Sequence, residues 1–158
     1  TVNLSHDVYN GRNASATAVA AHECGHAVQH AKAYSMLELR SGLVPIQNIS
    51  AKVINMVFLA MMFGAFALPG IFSYDTALLI IIACYGVFAR FAVIILPVEC
   101  DASKHALVWI EAMGVVNKQE HDMAKDALKW AAMTYVVAAI GAITMLLYYV
   151  MIFMGRRD

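Results

Sequence analysis

Apolar residues dominate three long stretches of the chain, at about 53 to 72, 76 to 97 and 130 to 154. Each is long enough, at about 1.5 Å of helical rise per residue, to cross a hydrocarbon layer of roughly 30 Å. Only Ser73, Tyr74 and Asp75 separate the first stretch from the second, which predicts a tight antiparallel membrane hairpin over 53 to 97. A polar interval from 98 to 129 precedes the third stretch. Its mixture of charged and apolar positions predicts a water-facing, mostly helical segment broken near Gly114. Upstream, Ser15 to about Lys32 is rich in Ala and free of Pro, with Asn13, Ser15 and Thr17 available as caps, and so predicts a helix. Residues 33 to 52 mix apolar positions with Arg40, Gly42, Pro45 and Lys52 without a sustained period, and predict a loop or short helix near a membrane surface. Val2, Asn3 and Leu4 alternate like an edge strand, and Tyr9 to Asn13 contains the Asn-Gly chemistry of a turn.

Composition strengthens the membrane reading. Hydrophobic residues make up 61% of the 158 and charged residues only 14%, against about 45 to 50% and 25% in soluble domains. With 11 basic and 11 acidic residues the formal net charge is zero, so no overall field draws the chain to nucleic acid. A lipid bilayer is the expected surrounding. Cys24, Cys84 and Cys100 are odd in number and far apart, which does not suit a disulfide framework. The polar start at Thr1 does not have the form of a signal peptide and lacks an initiator Met, so a piece of a longer chain is expected. Lys32, Arg40, Lys52, Lys104, Lys118, Lys125 and Lys129 fall on one side of the expected spans, with Arg156 and Arg157 opposite; this bias assigns the helix at 15 to 32 and the interval 98 to 129 to the cytoplasmic face.

The chemistry concentrates at His22-Glu23-Cys24-Gly25-His26. HExxH on a helix presents two imidazoles one turn apart to a single Zn²⁺, with the intervening Glu facing the water that the metal activates. The bland alternative is a pair of packed histidines. A catalytic zinc takes three protein ligands and leaves a position for water, so one more ligand is required. The extended metzincin pattern would need Gly at 29 and His at 32, where this chain has Gln29 and Lys32. Glu99, following Pro97 where the second span leaves the membrane, is the best placed candidate, with Asp101, His105 and His121 as rivals.

Val8 to Arg12, Ala20 to His30 and Leu96 to Ser103, with Thr134-Tyr135-Val136 in the third span, resemble the membrane neutral zinc metallopeptidases of the YugP type. More distantly, an HExxH helix, a membrane hairpin and a Glu on the returning helix are similar to HtpX-like and CAAX-processing gluzincins. The resemblance implies a mainly α membrane protein: a zincin-like HExxH helix, a transmembrane hairpin inserted before the third-ligand helix, and a further C-terminal transmembrane helix. It implies one membrane-embedded metallopeptidase domain over 1–158, divided as 1–32, 53–97, 98–129 and 130–154, and an N-terminal segment outside this sequence. It also implies Glu99 as third ligand and a bacterial cell membrane as location. Where the HtpX-like pattern has an Asp that orients a zinc histidine, four residues after the ligand Glu, this chain has Ser103. Asp101, Ser103 and His30 are therefore the candidates for supporting the ligands.

The expected reaction is hydrolysis of a peptide or protein substrate with Glu23 as general base. His105, Tyr9 and Arg12 are the candidate donors to the developing oxyanion. Edge strand 2 to 4 would pair with an extended peptide. Cys24 and Cys100 point away from the expected ligands, and Arg90 stands inside the second span, where an ionisable residue is costly. Two other readings compete: a site-2-type intramembrane protease, which needs a downstream Asp-Gly partner in the Leu-Asp-Gly style that this chain lacks, and a silent membrane scaffold that binds zinc, for which Glu23 would be superfluous.

Overall fold

The computed structural model describes residues 1–63 and 73–156, and among these it is mainly helical and without strands. Five helices follow one another: α1 (His6–Asn10), α2 (Ala14–Ala31), α3 (Ser35–Met62), α4 (Tyr74–Ala112) and α5 (Lys118–Gly155). Helices α3, α4 and α5 are each long and apolar enough to cross a membrane. Helices α4 and α5, of 39 and 38 residues, exceed the roughly 20 residues that a bilayer core requires. Their surplus length is the polar interval of the sequence, 98 to 112 on α4 and 118 to 129 on α5.

Local chemistry explains each boundary. The side chain of Asn13 accepts from the Ala16 amide at 2.8 Å and starts α2. The helix ends where Ala33 takes a positive φ of 48°, with Tyr34 N–H donating to the Gln29 carbonyl. Gly114, at φ 61°, interrupts the polar interval after α4. Asn117 then opens α5 with a reciprocal box: its Oδ1 accepts from the Glu120 amide while its own amide donates to Glu120 Oε2, both at 2.9 Å.

Three expectations are corrected. Residues 2 to 4 are not a strand, since the described residues contain no strand to pair with; Ser5 instead caps the one-turn helix α1 by accepting from the Val8 amide. Residues 35 to 52 are neither a loop nor a short helix but the first part of the 28-residue helix α3, which continues through Pro45. Tyr74 and Asp75 belong to a helix and not to a link. Ser73 Oγ accepts from the Thr76 amide at 3.1 Å, and α4 begins at Tyr74. The end of the first expected span, 64 to 72, and Arg157 lie outside the described residues.

The chain divides into two compact units: Thr1–Leu39 with Ile94–Val136, and the described parts of Arg40–Val93 with Val137–Asp158. In the second unit, Val57, Ala77 and Ile81 form a buried cluster to which Tyr85 and Tyr149 are packed, their rings stacked at 5.3 Å. Arg156 Nε donates to Asp75 Oδ1 at 3.1 Å, and its guanidinium lies 4.4 Å from the Tyr74 ring centre, tying the end of α5 to the start of α4. Arg90 is exposed on α4.

The first unit depends on small residues. Helix α2 buries Ala14, Ala18, Ala21, Gly25 and Gln29, a helical stripe with steps of three and four. Helix α4 answers with Val98, Ala102, Ala106 and Ile110, all at most 1% exposed. Ala18, Ala21, Ala106 and Ile110 join Ala124 and Leu128 of α5 in one apolar cluster. The approach is closest at Gly25, where a Cβ would stand 2.5 Å from the carbonyl oxygen of Ala102. Backbone cannot yield there as a flexible side chain would. Gly25→Ala is therefore expected to cost about 1–3 kcal/mol, read as a lowered Tm in detergent. Gly141→Ala on α5, with nothing within 4 Å, should leave Tm nearly unchanged.

Candidate metal centre

The two stripes bring α2 and α4 together at the height of the HExxH segment. At about 100° per residue, His22 and His26 lie within about 40° of each other, Gly25 falls on one flank of the pair and Glu23 on the other. Because Gly25 faces α4, the histidines sit at the edge of the helix contact and meet what α4 offers three residues before Ala102 or one after it.

What α4 offers is Glu99 and Ser103. Glu99 Oε2 lies 3.1 Å from His22 Nε2 and 3.6 Å from His26 Nε2, with the side chains of the histidines 15% and 18% exposed and that of Glu99 3%. The imidazole rings meet edge to face, their centres 4.7 Å apart. The potential ligand atoms of His22, His26 and Glu99 all fall within 4.8 Å of one another. Asp101, His105 and His121, the rival third ligands, stand outside this group. His121 instead faces Glu111 at 3.9 Å.

The outer nitrogens of both imidazoles are also held. Gln29, 1% exposed, gives its amide N–H groups to the Val98 carbonyl and to Asp101 Oδ2, each at 2.8 Å. Both of those partners are acceptors, so the Gln29 amide orientation is set and Oε1 is left toward His26 Nδ1 at 2.9 Å. Only an Nδ1–H can satisfy that oxygen. His26 therefore carries a proton on Nδ1, which leaves Nε2, the nitrogen facing Glu99, as the one that could bind a cation. Ser103 Oγ meets His22 Nδ1 at 3.1 Å. A hydroxyl can donate or accept there, so Ser103 suits the His22 ring both when Nε2–H binds Glu99 and when Nε2 turns its lone pair to a cation.

The donor set fits zinc: two imidazole nitrogens and one buried carboxylate converge, and the ring nitrogens facing away are occupied by hydrogen-bond partners, as ligand histidines require. Such a set leaves room for a fourth, non-protein ligand.

The remaining candidates are placed as follows. Asp101 reaches His26 only through Gln29, and it also receives His105, whose Nδ1 lies 3.4 Å from Asp101 Oδ2 and 2.9 Å from the Asp101 carbonyl. Lys32 Nζ lies 3.4 Å from the other ring nitrogen of His105. His30 is exposed, as are Tyr9 on α1 and Arg12 in the link to α2. Cys24 and Cys100 are exposed free thiols, and Cys84 is a buried one. Gln29 was legible only as a mismatch to another HExxH class. Its place in the stripe Ala14, Ala18, Ala21, Gly25, one turn past His26, is the signal that marks it as a buried polar group in need of partners.

The chain thus combines three helices long and apolar enough to cross a membrane with a His-His-carboxylate group that could hold a metal ion. The family described as "Putative neutral zinc metallopeptidase" matches residues 1–154, and the chain belongs to that family. It is similar to the "Putative membrane protease YugP" of Bacillus subtilis (strain 168), 40% identical over 99% of this chain and 66% of that protein. The chain thus spans just under two thirds of that relative's length. No solved structure matches it.

Gln29→Leu, which keeps the side-chain size but removes the acceptor for His26, is expected to weaken zinc binding about 10–100-fold. Competition with a chromophoric chelator measures this, and unchanged affinity would show that the Gln29 contact does not orient His26.

Proposed function

We propose that the chain is the metal-binding and catalytic portion of a zinc metalloendopeptidase of the gluzincin type, hydrolysing peptide bonds at the cytoplasmic membrane face. The observation that carries the reading is the convergence of His22, His26 and Glu99 on one point, with Glu99 nearly fully buried against both imidazoles. Membership in a zinc metallopeptidase family and the name of the Bacillus relative support it. The clustering of basic residues around the polar parts of α4 and α5 supports the cytoplasmic face.

His22, His26 and Glu99 would hold the zinc. When bound, zinc polarises the scissile carbonyl and brings the pKa of water to about 7. Glu23 is partly buried on the flank of the histidine pair away from Gly25. Its carboxylate takes a proton from the attacking water and delivers it to the leaving amine, so no covalent bond to the chain forms. Gln29 and Ser103 keep the two rings turned with Nε2 inward throughout, while Glu99, shared between both rings, supplies the negative charge that balances a cation.

The detergent-solubilised chain is expected to bind close to one zinc. Glu23→Gln should retain the metal and lose about 10²–10⁴-fold in casein cleavage; Glu99→Ala should lose the metal itself. Metal analysis and proteolysis on the same samples separate the two roles. A chain without zinc under any loading condition overturns the reading.

A further inference from the structure

The first unit contains a groove of about 500 Å³ between α4 and α5, within the range of roughly 300–1,000 Å³ typical of ligand sites. Its walls are apolar, with Leu96 and Leu107 from α4 and Leu128 and Val136 from α5. Glu99 and Ser103 also line it, so the groove opens onto the same carboxylate and hydroxyl that engage His22. Three exposed lysines, Lys104, Lys125 and Lys129, border it, and apart from Glu99 its described lining contains no acid.

We propose that this groove is the substrate-specificity site: it receives a large apolar side chain next to the scissile bond, with acidic residues of the same peptide reaching the lysine rim. The proposal rests on the peptidase reading and adds the class of substrate to it. Apolar walls select a leucine- or phenylalanine-sized group by area buried. Lysines at the margin select against basic neighbours and add attraction that salt weakens. Because Glu99 and Ser103 belong to the wall, whatever fills the groove touches the carboxylate and the hydroxyl that engage His22. That position suits a segment about to be cut, whereas a resident lipid would bar peptides from it.

The test uses the full chain carrying Glu23→Gln, loaded with zinc in phosphatidylcholine nanodiscs, and fluorescence polarisation of labelled peptides. A peptide containing Leu-Phe-Glu-Glu is expected to bind about tenfold or more tightly than Gly-Ser-Glu-Glu or Leu-Phe-Lys-Lys counterparts. Ala132→Trp, which fills the groove, should abolish the preference for Leu-Phe. Ala131→Trp, on the neighbouring exposed position, should leave it intact. Lys125→Glu with Lys129→Glu, on the solvent-facing rim where folding is not at stake, should reverse the charge preference and restore binding of Leu-Phe-Lys-Lys.

Indifference of all these variants to peptide type overturns the proposal, as does loss of peptide binding when phosphatidylglycerol replaces phosphatidylcholine, which would make the groove a lipid site. Hydrolysis of casein by the unsubstituted chain with no dependence on the groove sinks the proposal and leaves the peptidase reading standing. Groove-dependent binding with no hydrolysis by the unsubstituted chain does the reverse.

Discussion

The contact on which the candidate centre depends is the backbone approach of α2 to α4 at Gly25 and Ala102. Ligand atoms converge within 4.8 Å only if the helices that carry them pack closely, and helices pack closely only where side chains are small. The alanine stripe on α2 and the alternating Val-Ala-Ala-Ile stripe on α4 meet that demand. The stripe on α2 ends in Gln29, so the packing surface continues directly into the hydrogen bonds that orient His26. Core and site are thus one surface read at two heights.

The same arrangement explains how a carboxylate can be almost fully buried. An isolated buried charge is expensive, and Glu99 sits at the edge of an apolar cluster. It is accommodated because two imidazoles face its Oε2. Around them Ser103, Gln29 and Asp101 make contacts in which each donor meets an acceptor.

Much of this was legible in the residues. Apolar run length disclosed the long helices, alanine content disclosed α2 to within a residue of its ends, and the four-residue step from His22 to His26 required a helix. Glu99 was favoured by its position after Pro97 and by resemblance, though spacing alone left three rivals. Local breakers misled elsewhere: Gly42 and Pro45 suggested a loop or short helix where α3 runs on through both. Three alternating residues suggested a strand, yet a strand needs a partner, and Ser5 had a cap to offer instead. Gln29 was overlooked because its role is tertiary. Only once α4 is in place do the Val98 carbonyl and Asp101 show why an amide stands there.

Gly25 also changes what HExxH means in this chain. The motif is written as if its two middle positions were free, and Cys24, exposed, has that freedom. Gly25 does not, because the backbone of α4 occupies the space any side chain would need. For anyone grafting this segment into another scaffold, the transferable unit is therefore not five residues of one helix. It is a pair of helices with matched small-residue faces, and without the second the first is a helix bearing two histidines and no site.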